Sequence, residues 1–144
     1  MNTISVDLTS DSYQIHVGHH LLAQAGYLIH SCTSGSKILV VTHPDLIKLF
    51  GAELLASLES AGFSVTTASV PTGEHAKSFE SYQKLVSVLA ENRFTREDIV
   101  VAFGGGVIGD LAGFAAATYM LSLIHIAERL LNEVKAGPYL TRHW

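Results

Sequence analysis

This 144-residue chain predicts an α/β fold, an open and mostly parallel sheet preceded by an N-terminal β-hairpin. Three observations carry that expectation. Short β-prone runs alternate with helical patterns along the chain. The central runs at 37–42 (KILVVT) and 99–103 (IVVAF) are apolar almost throughout, as strands covered on both faces are. The second of them runs straight into three glycines and an alanine-rich helix.

Taken in order, residues 3–8 and 13–17 alternate with period two on either side of the polar stretch Thr9, Ser10, Asp11, Ser12, which predicts the hairpin. A short helix over 20–31 follows, and Gly35 marks the loop after it. Beyond the 37–42 strand, Pro44 opens a helix to about Ala61. Its expected inner face holds Leu46, Ile47, Leu49, Phe50, Leu54, Leu55 and Leu58. Gly62 ends it, 63–70 is a further strand, and Pro71-Thr72-Gly73 breaks that strand into a loop. Ser78 is placed to cap a helix over 79–92 whose apolar stripe is Tyr82, Leu85, Val86, Val88 and Leu89. Thr95, with Asp98 three residues on, heads a short turn into the 99–103 strand.

Composition narrows the function. Hydrophobic residues make up 48% of the chain and charged ones 15%, the balance of a globular domain with a sizeable core. A net charge of −4 with no basic stripe argues against nucleic acid as the main partner. One cysteine, Cys32, leaves no intrachain disulfide framework and fits a reducing compartment. The first residues lack a basic start with an apolar run, and no apolar stretch is long enough to span a bilayer. The expectation is a cytoplasmic protein with no membrane partner. Eight histidines raise the question of a metal, but His16, His19, His20, His30, His125 and His143 show no zinc-site spacing.

In open parallel sheets a ligand sits beyond the carboxyl ends of the strands. Three loops follow strands at that end, 42–45, 71–77 and 104–110, and they can converge on one crevice. The third is the most telling. Glycine lets the backbone approach a ligand, and a helix start offers unpaired N–H groups and a positive dipole end. Gly104, Gly106 and Gly109 fit the G-x-G-x-x-G spacing. The acidic residue expected about 20 residues on would be Glu128 or Glu133, both poor candidates. Alone, this loop reads either as a phosphate cradle or as a tight strand–helix turn, with Gly113 allowing close packing.

Two motifs in this order and spacing resemble the 3-dehydroquinate synthase family. Residues 71–77, PTGEHAK, are similar to its G-E-x-x-K motif, here followed by Ser78. Residues 103–119, FGGGVIGDLAGFAAATY, match its G-G-G-V-[IV]-G-D pattern and the residues after it almost one for one. The resemblance covers residues 1–120. It implies the Rossmann-like, NAD-binding half of a two-domain enzyme that converts 3-deoxy-arabino-heptulosonate 7-phosphate to 3-dehydroquinate and phosphate. It further implies cofactor contacts at Thr72, Gly73, Glu74, His75, Ala76 and Lys77 in one loop, and at Gly105, Gly106, Val107, Ile108, Gly109 and Asp110 in the other. On that reading Glu74 accepts from ribose hydroxyls, Lys77 offsets diphosphate charge, and the amides of 105–109 face the diphosphate. Asp110, expected in the first helical turn, reaches the ribose or nicotinamide side. The blander reading makes Glu74 and Lys77 a solvated pair and Asp110 a complement to the helix dipole. Many family members carry Asp or Asn after Val-Thr; here His43 stands there, with Asp45 two positions on.

The resemblance also implies a sugar-phosphate substrate, a divalent metal (zinc or cobalt) and a homodimer for the full-length enzyme. The metal ligands, a Glu and two His, belong to a C-terminal helical domain absent from this chain. No catalytic or metal-ligating residue is therefore expected here, and the chain alone is expected to be inactive. Residues 121–144 form a tail that departs from the family, with Leu121 where members carry an arginine. Leu123, Ile126, Leu130, Leu131 and Val134 roughly share a helical face before Gly137-Pro138, so the tail is expected to be helical. LSLIHI at 121–126 reads as one frame of a transposase end sequence used in DNA-library adaptors, and the tail is expected not to be native. The alternatives are another sugar-phosphate cyclase, a glycerol-dehydrogenase-like enzyme, or a non-catalytic nucleotide-binding fragment.

Overall fold

Strands β1 (Asn2–Val6) and β2 (Tyr13–Val17) pair antiparallel as the alternating pattern predicts, with Ile4 opposite Ile15. The structure, a computed structural model, describes residues 1–8, 12–119, 122–127 and 139–143. After the hairpin come α1 (Leu21–His30), β3 (Lys37–Thr42), α2 (Pro44–Ser60), β4 (Ser64–Ser69), α3 (Phe79–Glu91), β5 (Ile99–Phe103), α4 (Gly106–Thr118), β6 (Ser122–Ala127) and β7 (Tyr139–His143). Among the described residues the strands form one sheet in the order β1-β2-β7-β6-β5-β3-β4. Strands β6, β5, β3 and β4 run parallel, and β7, β2 and β1 continue the sheet antiparallel.

Strand period two sorts the core into two halves. Leu39, Val41, Val100, Ala102 and Leu123 meet α3 through Leu85 and Leu89, and α4 through Ile108, Leu111, Ala112 and Ala115. Ile38, Val40, Ile99, Val101, Phe103, Ile124 and Ile126 meet α1 through Leu22, Ala25 and Ile29, and α2 through Leu46, Leu54 and Leu58. Helices on both faces explain why β5 is apolar throughout and β3 nearly so. Two polar devices fasten this frame. The Ser57 hydroxyl donates to Ala23 O (2.9 Å) and accepts from the Gly26 amide (3.0 Å), clasping α2 to α1. The buried Asp98 carboxylate accepts from the amides of Thr95 (2.8 Å), Lys37 (3.0 Å) and Ser36 (3.3 Å), tying the turn before β5 to the start of β3.

Two expectations are corrected. Leu49 is 64% exposed and Ile47 only half-buried, because the sheet covers a single stripe of α2 and Leu49 lies on the flank beyond Leu46. The tail is not helical where it is described. Residues 122–127 are strand β6, registered so that Ile99 faces Ser122 and Phe103 faces Ile126, and 139–143 are strand β7. The row of backbone groups along β5 and the two apolar faces beside it outweigh the helical spacing. Leu123 enters one half of the core while Ile124 and Ile126 enter the other. Leu130, Leu131, Val134 and Gly137-Pro138 lie outside the described residues.

Candidate functional site

Strand register brings the three loops together. Thr42 is level with Ser69 on one side and Phe103 on the other, so His43, Val70 and Gly104 all leave the sheet at one edge. Val70 donates its amide to Thr42 O (3.0 Å), and His43 Nδ1–H donates to Val70 O (3.2 Å). His43 therefore ties the 42–45 loop to the 71–77 loop while it begins α2 with Pro44 behind it.

The glycines divide by role. Gly104 adopts a φ of 156°, donates its amide to Ile126 O (2.9 Å) and accepts from His125 Nε2 (2.9 Å); a Cβ there would press on Ile108 at 2.8 Å. Its glycine is demanded by the fold. Gly105 and Gly106 are exposed, neither has a positive φ, and an added Cβ would find nothing within 4 Å. Gly105 is the N-cap of α4 and no side chain caps it. Helix geometry leaves the amides of 105–108 without intrahelical acceptors, and the dipole adds positive potential at that end. Gly109 differs: its amide already donates to Gly105 O (3.0 Å), and its α-carbon faces the His125 ring. The diphosphate contact expected of the Gly109 amide is thus taken by the helix itself. Ile108 is fully buried, so only its backbone is near the crevice.

In the 71–77 loop Gly73 takes φ 94°, a left-handed value that suits glycine, and launches a single 3-10 turn, Glu74–Ala76. Ala76 is 1% exposed and anchors the turn in the core, so it does not line the loop's outer side. Thr72, Gly73, Glu74 and His75 are exposed. Ser78 then caps α3, its hydroxyl accepting from the Ser81 amide (3.2 Å).

Lys77 joins this loop to α4. Its ammonium lies 2.7 Å from Asp110 Oδ2 and 3.1 Å from Glu74 Oε2. Hydrogen bonds that Lys77 donates to Asp110 first and Glu74 second hold it above its ordinary pKa, so it is a cation across the neutral range. Asp110 is not in the first turn of α4, as sequence spacing suggested. It is the fifth helical residue, and its carboxylate faces Lys77. Beside the pair lies a cavity of about 300 Å³ lined by Lys77, Ser78, Phe79, Tyr82, Asp110, Leu111 and Phe114. Phe79 is 87% exposed, and the Tyr82 and Phe114 rings stand 4.9 Å apart. Sequence reasoning placed Tyr82 on the buried stripe and missed this wall. The signal available was Phe79 and Tyr82 three apart at the head of one helix. Among the described residues no group of three or more His, Cys, Asp or Glu is placed to hold a metal ion.

Residues 67–137 match the family model for the 3-dehydroquinate synthase N-terminal part. Over that stretch the chain resembles the 3-dehydroquinate synthase family. It is 41% identical over 138 residues to a 3-dehydroquinate synthase of Nostoc sp., covering 94% of this chain and 38% of that protein. Against the 3-dehydroquinate synthase of Latilactobacillus sakei subsp. sakei it is 42% identical over 139 residues, 95% of this chain and 39% of that one. The chain thus spans less than two fifths of these relatives' length. Among solved structures, a 2-deoxy-scyllo-inosose synthase complexed with carbaglucose-6-phosphate, NAD+ and Co2+ shares the fold at TM-score 0.71 and 23% identity, over 88% of this chain and 34% of that one. A 2-epi-5-epi-valiolone synthase from Streptomyces hygroscopicus subsp. jinggangensis, with NAD+ and Zn2+ bound, aligns at TM-score 0.65 and 26% identity over 85% of this chain and 33% of that one. The segment is α/β and Rossmann-like, as expected. No helix among the described residues is long and apolar enough to cross a membrane.

Proposed function

We propose that this segment binds NAD+ at the carboxyl edge of its sheet and supplies the cofactor half of a 3-dehydroquinate synthase. The observation that carries the reading is the openness of Gly105 and Gly106. Nothing in the fold needs glycine at either position, yet both leave bare backbone above an uncapped helix start. A diphosphate placed there would accept from the amides of 105–108, with the Gly109 amide holding the helix together behind them. Glu74 and Asp110 are acceptors of the right kind for ribose hydroxyls, and Lys77 is the cation at the loop's lip. Thr72, Gly73 and His75 form the exposed wall beside them.

NAD+ supplies a hydride acceptor when bound. The chain's own part is to fix that carrier at one edge and present it to a substrate held by the rest of the enzyme. The reaction proposed for the full-length protein is conversion of 3-deoxy-arabino-heptulosonate 7-phosphate to 3-dehydroquinate and phosphate, by a cytoplasmic homodimer. The described residues hold no donor set that fits a divalent metal, so no step on this chain is routed through one. Calorimetric titration with NAD+ tests the proposal. Micromolar binding, with no phosphate released from substrate by the segment alone, is expected. No heat at millimolar NAD+ overturns it.

A further inference from the structure

The Lys77 ammonium that an incoming diphosphate needs is already engaged twice, by Asp110 at 2.7 Å and by Glu74 at 3.1 Å. An ammonium has three donors, so one remains. The Lys77–Asp110 contact links the 71–77 loop to α4, one turn above the open amides of 105–108. Asp110 is not there for the fold: its side chain is 66% exposed, and an exposed pair contributes little to stability.

Resting on the diphosphate reading of the glycine loop, we propose that Asp110 is a specificity residue that competes with phosphate oxygens for Lys77 and so excludes bare phosphate anions. A simple polyphosphate that takes Lys77 leaves the exposed Asp110 carboxylate with water alone in place of its ammonium partner. A dinucleotide brings hydroxyl donors next to its diphosphate. Lys77 exchanges a carboxylate for phosphate oxygens, and the carboxylate exchanges Lys77 for ribose hydroxyls. Only a ligand carrying both groups replaces every bond it breaks, which converts a general anion site into one for sugar diphosphates.

The test titrates inorganic pyrophosphate and NAD+ into the 144-residue chain, Asp110→Asn, Lys77→Met and the double variant. Asp110→Asn should bind pyrophosphate about tenfold tighter than the parent, with NAD+ binding no tighter, so that preference for NAD+ over pyrophosphate falls by about that factor. In the Lys77→Met background the same Asp110 change should alter pyrophosphate affinity less than about twofold. An equal gain there means simple charge repulsion and overturns the competition. An unchanged preference in Asp110→Asn also overturns it, while leaving the diphosphate site standing. Failure of the parent chain to bind NAD+ removes the site, and this inference with it. Thermal melts confirm that each variant is folded.

Discussion

Gly26 and Gly106 show that glycine carries two different meanings in this chain. At Gly26 a Cβ would run into the Ser57 carbonyl, so the residue sets how closely α1 and α2 approach. Gly26→Ala is expected to cost about 1–3 kcal/mol by overpacking, read as a lower melting temperature, with NAD+ affinity unchanged in the folded fraction. At Gly106 there is open space. Gly106→Val is expected to shift stability by less than about 1 kcal/mol and to weaken NAD+ binding at least about tenfold, because the side chain fills the ground the diphosphate needs. Unaltered affinity in a folded Gly106→Val chain defeats the cofactor assignment. Lys77 adds a pH expectation. Its pKa is raised, so its charge is fully present below the ordinary lysine value and is lost only as pH climbs past the raised one. Lys77-dependent affinity should therefore stay flat from about pH 7 to 9; a fall across that window shows that another group governs binding.

Local signals made most elements legible, and tertiary pairing decided the rest. The 37–42 and 99–103 strands emerge with the expected bounds because continuous apolar runs have few other uses in a chain of this composition. Ser78 caps α3 as its position before the stripe suggests, and Ser78→Ala should cost about 1 kcal/mol in a denaturant melt. Thr95 and Asp98 mark their turn, but the reach of Asp98 back to Ser36 and Lys37 joins residues some 60 apart and leaves no trace in local spacing. Asp98→Ala, which strands those amides, should cost about 1.5–3 kcal/mol, well above the cap. The site was legible as loops and motifs. Its wiring was not: the pairing of Lys77 with Asp110 depends on how α4 turns relative to the 3-10 segment, and the difference between Gly106 and Gly109 depends on which side of α4 faces β6. The helical spacing of the tail failed for the same reason, since a strand-starved edge next to β5 outweighs a loose 3.6-residue repeat.

At the scale of the molecule, β5 is the strand everything else is built around, and its burial depends on residues 122–127. Every β5 residue is buried, with β3 on one side and β6 on the other. Without β6, its backbone groups and the facing side chains of Ile99, Val101 and Phe103 would meet water, the kind of apolar edge that pairs with other chains. A chain ending at Met120 should therefore self-associate at micromolar concentration on size exclusion, whereas the 144-residue chain should elute smaller. A monodisperse truncated chain would mean that β6 adds nothing to the sheet. What β6 needs is modest: an alternation such as Leu123, Ile124 and Ile126 that supplies both halves of the core. Many sequences meet that demand, so a good fit in the sheet is no sign of common origin. The origin of residues 121–144 is decided at the locus. The family match runs on to residue 137, across β6, so it marks no break at Met120, and sequencing unfragmented DNA tests the expectation that the reading frame continues differently there. The same tail in an intact reading frame would make those residues native, and β6 would then be a family strand rewritten in this chain.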